Sequence, residues 1–266
     1  MTNPEKIHVL NERVPLLQPA EGFRTSLDSV MLAAACPAGK GESILDLGCG
    51  VGGASFCTLH RVPETTLTGI DIQEDHIALA MQNAAMNDMS ARTEFIGIDV
   101  RDFDTMPSPR KRGSLESGEK DPCLRRENTV MFDHVICNPP YLEAGAHTPS
   151  PSAPRALAIG HGEDDIELKD WIDAGFRNLK SKGSFTIIHR ADQTDEIIRA
   201  MGRRFGAIEI IPLWPRQGIE AKRAIIRAIK DRRSPAKIHP GIILHQDNGD
   251  YTSEAEKILR QARPIL

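Results

Sequence analysis

Short apolar runs alternate with segments of helical period along most of this chain. The run "SILDLGCG" (43–50) closes on glycines and predicts a strand followed by a tight turn, which "ASFCTLHR" (54–61) continues as a helix. Apolar residues at 77, 79, 80, 81, 84 and 85 give "EDHIALAMQNAAMND" (74–88) a helical face, between a second strand, "TTLTGIDI" (65–72), and a third, "RTEFIGIDV" (92–100). "MFDHVICN" (131–138) reads as a fourth strand, "DIELKDWIDAGFRNLKSKG" (165–183) as a helix stopped by Gly183, and "SFTIIHR" (184–190) as a fifth strand. A helix over "QTDEIIRAMGRRF" (193–205) leads to two closing strands, "AIEIIPLWP" (207–215) and "KRAIIRAIK" (222–230), with no helix between them. The expected fold is therefore α/β, a mostly parallel seven-stranded sheet with an antiparallel strand at one edge.

Two stretches lie outside the pattern. "PSPRKRGSLESGEKDPCLRREN" (107–128) is rich in charge, Gly, Ser and Pro and reads as a flexible insertion, and "AHTPSPSAPR" (146–155) reads as a loop. The sheet pattern resumes after each. Residues 1–266 are thus expected to form a single domain, with 1–40 as a lead-in segment and helix and 238–266 as a C-terminal tail.

Composition is that of an ordinary globular protein, 40% hydrophobic and 26% charged over 266 residues. No run approaches the ~18 apolar residues that suggest a membrane span, and the N-terminus lacks the apolar core of a signal peptide. Cysteines at 36, 49, 57, 123 and 137 form no Cys-x-x-Cys and have no zinc-finger spacing to histidine, so free thiols in a reducing cytoplasm and no metal are expected. The net charge of −4 conceals one basic stretch: eleven Lys/Arg against three acids between Arg199 and Lys237. It reads either as a solvated face or as a phosphate-binding one.

Gly48, Gly50 and Gly53 follow the first strand in the spacing G-x-G-x-x-G, which alone suggests a dinucleotide. Asp46, two residues before the first glycine, argues otherwise, because a carboxylate beside a pyrophosphate is repelled. S-adenosylmethionine carries no phosphate but has an ammonium and a sulfonium, which suit that carboxylate. Asp71 ends the second strand, beside Ile72, where an acid accepts both ribose hydroxyls. Asp99 ends the third, where its carboxylate can accept from an adenine amino group while Val100 donates its N–H to the ring. Any one of these acids could instead cap the following helix. Three on successive strands point to a nucleoside cofactor, S-adenosylmethionine rather than NAD.

The fourth strand ends in Asn138-Pro139-Pro140-Tyr141. Both prolines have fixed φ and no N–H, and Asn138 before proline is driven extended, so the turn is stiff. It presents two acceptors, the Asn138 side-chain carbonyl and the Pro139 backbone carbonyl, to the two hydrogens of a planar NH₂ group. Such a nitrogen needs positioning more than a strong base. Tyr141 offers a face to an unstacked base; the plainer alternative is a rigid turn with Tyr141 as filler. In this order "LDLGCGVG", "GIDI" and "NPPY" resemble the class I, Rossmann-like methyltransferases of the Asn/Asp-Pro-Pro-Tyr type, over roughly residues 20–230. The resemblance implies N-methylation of an exocyclic or amide nitrogen.

The motif does not separate adenine N6 from a glutamine amide. Methyltransferases that act on release-factor glutamine usually carry a helical domain before the glycine loop, and the residues preceding Ile44 are too few for one. "GFRTSLDSVMLAAA" (22–35), "EAKRAIIRAIK" (220–230) and the tail "GIILHQDNGDYTSEAEKILR" (241–260) resemble bacterial tRNA(Val) adenine-N6 methyltransferases, which act beside the anticodon. That resemblance implies RNA, most of all tRNA, as partner. It places Arg24, Thr25 and Asp28 by the cofactor's methionine end, although Ser26 or Asp28 could instead cap the following helix. Lys222, Arg223 and Arg227 would hold phosphates. Arg155 and His161 could meet RNA, with a loop role as the plainer reading. Monomer and homodimer both stay open, as do a protein glutamine acceptor, another RNA or DNA adenine, and a non-catalytic RNA-binding scaffold.

Overall fold

In the computed structural model the described residues are 4–20, 25–103, 131–141 and 166–265. The 107–128 insertion, the 146–155 loop, Arg24, Arg155 and His161 lie outside them.

The chain opens with an antiparallel hairpin, β1 (Glu5–Val9) and β2 (Val14–Gln18), then helix α1 (Leu27–Ala35). The alternating part follows as β3 (Ser43–Leu47), α2 (Gly53–Arg61), β4 (Thr66–Asp71), α3 (Glu74–Met86), β5 (Thr93–Gly97) and β6 (Phe132–Cys137). It continues with α4 (Leu168–Asn178), β7 (Leu179–Arg190), α5 (Thr194–Met201), β8 (Phe205–Trp214) and β9 (Arg223–Lys230). Two-residue strands β10 (Lys237–Ile238) and β11 (Ile242–Ile243) precede α6 (Ser253–Gln261).

The sheet runs β10-β8-β9-β7-β6-β3-β4-β5, with β11 also on β8. All seven expected strands are present, and the two short ones extend the edge. The antiparallel strand lies one place further in than expected, since β9 sits between β7 and β8 and is antiparallel to both. The crossover through α5 leaves a gap one strand wide, and the returning hairpin strand fills it.

Both faces are covered, as a parallel sheet requires. Ile44 and Ile136 face a core with Met31, Leu32, Phe56 and Leu59 from α1 and α2, while Leu45, Leu47 and Val135 face Trp171, Ile172, Ile197 and Met201 from α4 and α5. The helix expected to stop at Gly183 ends at Asn178 instead, and the chain enters β7 at Leu179. Gly183 lies within that strand, where a Cβ would come within 2.8 Å of Asp133 O, so it marks close backbone approach rather than a helix stop.

The N-terminal hairpin was not legible as such. It docks on α3 through Asn83, which is fully buried. Its side chain accepts from Leu17 N (2.7 Å) and donates to Leu17 O and Val51 O (both 2.9 Å), tying the hairpin to the glycine loop.

Candidate active site

Strands β3, β4, β5 and β6 end side by side, so Asp46, Asp71, Asp99 and Asn138 collect at one end of the sheet. Asp46 is 2% exposed. Its Oδ2 accepts from Ser55 Oγ at 2.6 Å, and burial, reinforced by the charge of Asp71, pushes its pKa up to about 7. Asp71 braces the loop: its Oδ2 accepts from Gly50 N at 2.9 Å and its Oδ1 from Gln73 N at 2.8 Å. Gly48 has φ +67°, and a Cβ there would meet the Trp171 ring at 2.8 Å. Thr25 lies against the same loop, 2.8 Å from where a Gly53 Cβ would stand.

Ile72, next to Asp71, is 60% exposed and offers bare apolar surface at the loop. Asp99 sits two residues beyond β5. Its carboxylate accepts from Arg101 N and Nη2, both at 2.8 Å, and the Arg101 bonds hold its pKa below the usual carboxylate range. Val100 is buried. A buried carboxyl poised near neutrality suits a cationic ligand and disfavours a pyrophosphate. Each Asp71 oxygen accepts one backbone N–H, and a carboxylate has lone pairs for further donors, so these residues fit S-adenosylmethionine.

At the end of β6, Pro139 is buried, Pro140 exposed and Asn138 half-buried. Tyr141 is not a free plate. Its hydroxyl donates to Asp28 Oδ2 at 2.7 Å, and Arg223 Nε donates to the same oxygen at 2.7 Å. The Arg223 guanidinium lies over the Tyr141 ring, 5.4 Å from its centroid, and the His189 ring meets it edge-on at 4.9 Å. One face of Tyr141 is therefore taken by Arg223, and His189 packs against the same ring. Burial first, then the Asp28 charge, raises the tyrosine pKa. Ser26 is the helix cap, accepting from Asp28 N at 3.2 Å, which frees the Asp28 carboxylate for this cluster. His189 is buried, its Nδ1 has no partner among the described residues, and burial followed by the Arg190 charge lowers its pKa.

The basic stretch does not form one face. Arg227 is held inside the fold: Nε and Nη2 bond Glu209 at 2.8 and 2.5 Å, and Nη1 donates to Ala35 O. The period of a strand puts Arg223, Ile225 and Arg227 on one side of β9, the side that α1 covers; Arg227 has all three nitrogens engaged there, while Arg223, its side chain 38% exposed, pairs with Asp28 through Nε. Lys222 is exposed. Arg216 stands with it at the Asn138 end of the sheet, whereas Arg203, Arg232 and Arg233 lie at the opposite end, around the start of β8 and beyond the end of β9.

Asn83, Ser55, Trp171 and His189 were not singled out in the sequence. Asn83 did leave a signal, a polar residue on the buried stripe of α3 beside Ala80 and Ala84. Among the described residues no His, Cys, Asp and Glu group could hold a metal ion, and no helix is long and apolar enough to cross a membrane. Cys36, Cys49, Cys57 and Cys137 are buried and free.

Fold and site together define a Rossmann-like methyltransferase, and residues 38–203 match the family described as "Methyltransferase domain"; the chain belongs to that family. It is 30% identical over 167 residues, covering 63% of this chain and 58% of the relative, to a tRNA1(Val) (adenine(37)-N6)-methyltransferase of Shewanella halifaxensis. That match spans less than two thirds of the relative's length. A protein of the same name from Shewanella baltica is 23% identical over 241 residues, covering 90% of this chain and 91% of the relative. Among solved structures, a predicted O-methyltransferase of Agrobacterium tumefaciens shares the fold with a TM-score of 0.66 at 24% identity, over 90% of this chain and 98% of that one.

Proposed function

We propose that this protein methylates the N6 amino group of an adenine in tRNA, adenine 37 of a tRNA(Val) above all, with S-adenosylmethionine as donor. The observation that carries the reading is the Asn138-Pro139 acceptor pair at the end of β6, in line with three acid-terminated strands. The names of the relatives above point to the same acceptor.

When bound, the cofactor supplies an electrophilic methyl group. Asp46 balances its positive charge, Asp71 accepts from its ribose, and Ile72 lies against its adenine. Val100 donates to the ring and Thr25 borders the loop from the other side. Asp99 shares its carboxylate between Arg101 and the adenine amino group. Asn138 Oδ1 and Pro139 O accept the two N6 hydrogens of the substrate, which turns the nitrogen lone pair towards the methyl group. Pro140 keeps the turn rigid. As the new carbon–nitrogen bond forms, the donor's sulfur–methyl bond would break, its sulfur keeping the electron pair as a neutral thioether, and one N6 proton leaves to water. Asp28 acts through Tyr141 and not on the cofactor directly, and Lys222 meets the RNA backbone.

The test is labelled methyl transfer into total tRNA from a strain lacking the protein, followed by nucleoside analysis. Label is expected in N6-methyladenosine. Label confined to protein overturns the reading. Asn138→Ala is expected to abolish turnover while cofactor binding, followed by calorimetry, persists.

A further inference from the structure

The tail motif Gly249-Asp250-Tyr251-Thr252 has no part in the site above, yet it is built with care. Gln246 N donates to Asp250 O at 2.8 Å, Thr252 N to Leu244 O at 2.9 Å, and the His245 and Tyr251 rings stack at 4.8 Å. Thr252 Oγ1 caps α6 by accepting from Ala255 N and also donates to Ile243 O at 2.6 Å. The result folds the tail against the outer edge of the sheet. There it borders an open cavity of about 700 Å³ between the end of β8, the loop 215–222 and the first turn of α6.

The indole of Trp214 stands in one wall, its Nε1 fixed to Pro240 O at 2.9 Å. Gly241, at φ +81°, lets the backbone reach that wall, since a Cβ there would lie 2.6 Å from the indole nitrogen. Ile219 is 51% exposed, and Arg216, Gln217, Glu220 and Glu254 are exposed without side-chain partners among the described residues. An aromatic wall, an exposed aliphatic, an amide and an arginine together make a surface for a single unstacked base. Glu220 and Glu254 bar a phosphate from the interior and select a base edge that donates hydrogens.

The cavity opens at the same end of the sheet as Asn138, with Leu213 paired to Arg223 and Arg223 to Arg190. Three inter-strand steps from β6 to β8 amount to about 14 Å. Exposed Lys222 lies between. We propose that this cavity takes an unpaired nucleotide of the RNA substrate close to the target adenine: its base against Trp214 and Ile219, an exocyclic amino group on the carboxylates, and its phosphate outside by Arg216 and Lys222. Adenine, cytosine and guanine carry the required amino group and uracil does not. The inference rests on the reading of RNA as substrate.

The experiment measures methylation of synthetic anticodon stem-loops in which each unpaired nucleotide other than the target is replaced in turn by uridine. Wild-type protein is expected to lose about tenfold in kcat/KM at one such position. Glu254→Gln is expected to flatten that preference, and Ile219→Ala to raise KM for RNA about tenfold with kcat and cofactor affinity unchanged. Fluorescence anisotropy with labelled stem-loops should show the same loss of affinity without turnover. Wild-type KM and wild-type base preference in both variants would overturn the cavity assignment alone. Failure of the wild-type protein to methylate or bind any stem-loop, with cofactor binding intact, would overturn the RNA reading and this assignment together.

Discussion

The Tyr141 hydroxyl donates to the Asp28 carboxylate at 2.7 Å, joining residues 113 positions apart, and Arg223 binds the same oxygen. Asp28 is 5% exposed, so the last residue of the rigid turn is anchored on a buried charge. Arg223→Ala and Tyr141→Phe are expected to lower kcat about tenfold or more, in keeping with the loss of a hydrogen bond to a charged group. Since Arg223 is held by Asp28, the dependence of RNA affinity on salt should keep its slope in Arg223→Ala. A slope reduced by about one phosphate contact would assign Arg223 to RNA instead.

Arg227 makes a sharper contrast. Its side chain is 12% exposed and its partner Glu209 22%, with His239 also 3.3 Å from Glu209. Arg227→Ala is expected to destabilise the fold by about 3 kcal/mol, the lower end for a broken buried pair because His239 remains. Urea unfolding reads the loss, and the RNA salt slope should stay that of the wild type.

Asp46 links pH to both stability and binding. Its folded pKa of about 7 lies above its ordinary value of 3.8, so between those values the folded state holds a proton that the unfolded chain has released. Its contribution to stability therefore rises as pH falls from 7 towards 4. Asp46→Asn, which keeps an acceptor for Ser55, is expected to stabilise the protein at pH 8 by roughly 2–4 kcal/mol and to remove most of that difference at low pH. Binding of the cationic cofactor should move the opposite way, weakening as pH drops below about 7 and largely lost in Asp46→Asn. Thermal melts and calorimetry at pH 6 and 8 test the two signs together.

Asn83→Ala leaves Leu17 N–H, Leu17 O and Val51 O without their bonds. A destabilisation of about 2–4 kcal/mol is expected, with a weaker cofactor affinity because Val51 belongs to the glycine loop. Asn83→Asp turns an acceptor oxygen onto the carbonyls of Leu17 and Val51 in a fully buried place, and should cost at least as much as Asn83→Ala. Equilibrium unfolding and calorimetry on both variants check the order.

Much of the fold was legible because its signals are local. Gly48 and Asp46 sit two residues apart, Asn138 and Tyr141 three apart, and each strand carries its own apolar run. What stayed hidden depends on distant partners. A separation of 195 positions between Asp28 and Arg223 leaves no local trace, so Arg223 read as a free cation. Arg227 could have been placed better, since strand period puts it with Arg223 and Ile225 on a covered face. The β1–β2 hairpin turns through Leu10, Asn11 and Glu12, all at positive φ. With no glycine there, the usual turn signal is weak. The Gly183 stop failed because a glycine that ends a helix and one that admits a neighbouring strand look the same in sequence.

The reversed course of β9 has a further effect. A parallel strand in that slot would have brought Lys230 to Tyr141 and carried its connecting loop to the far end of the sheet. Running backwards, β9 delivers Arg223 to the turn immediately after the loop 215–222. The loop can therefore change its side chains without moving the reacting groups, but not its alignment. A slip of one residue in β9 would put Ala224 or Lys222 in the place of Arg223 and leave Asp28 without its guanidinium, so the loop is free to vary only while the register of one strand is kept.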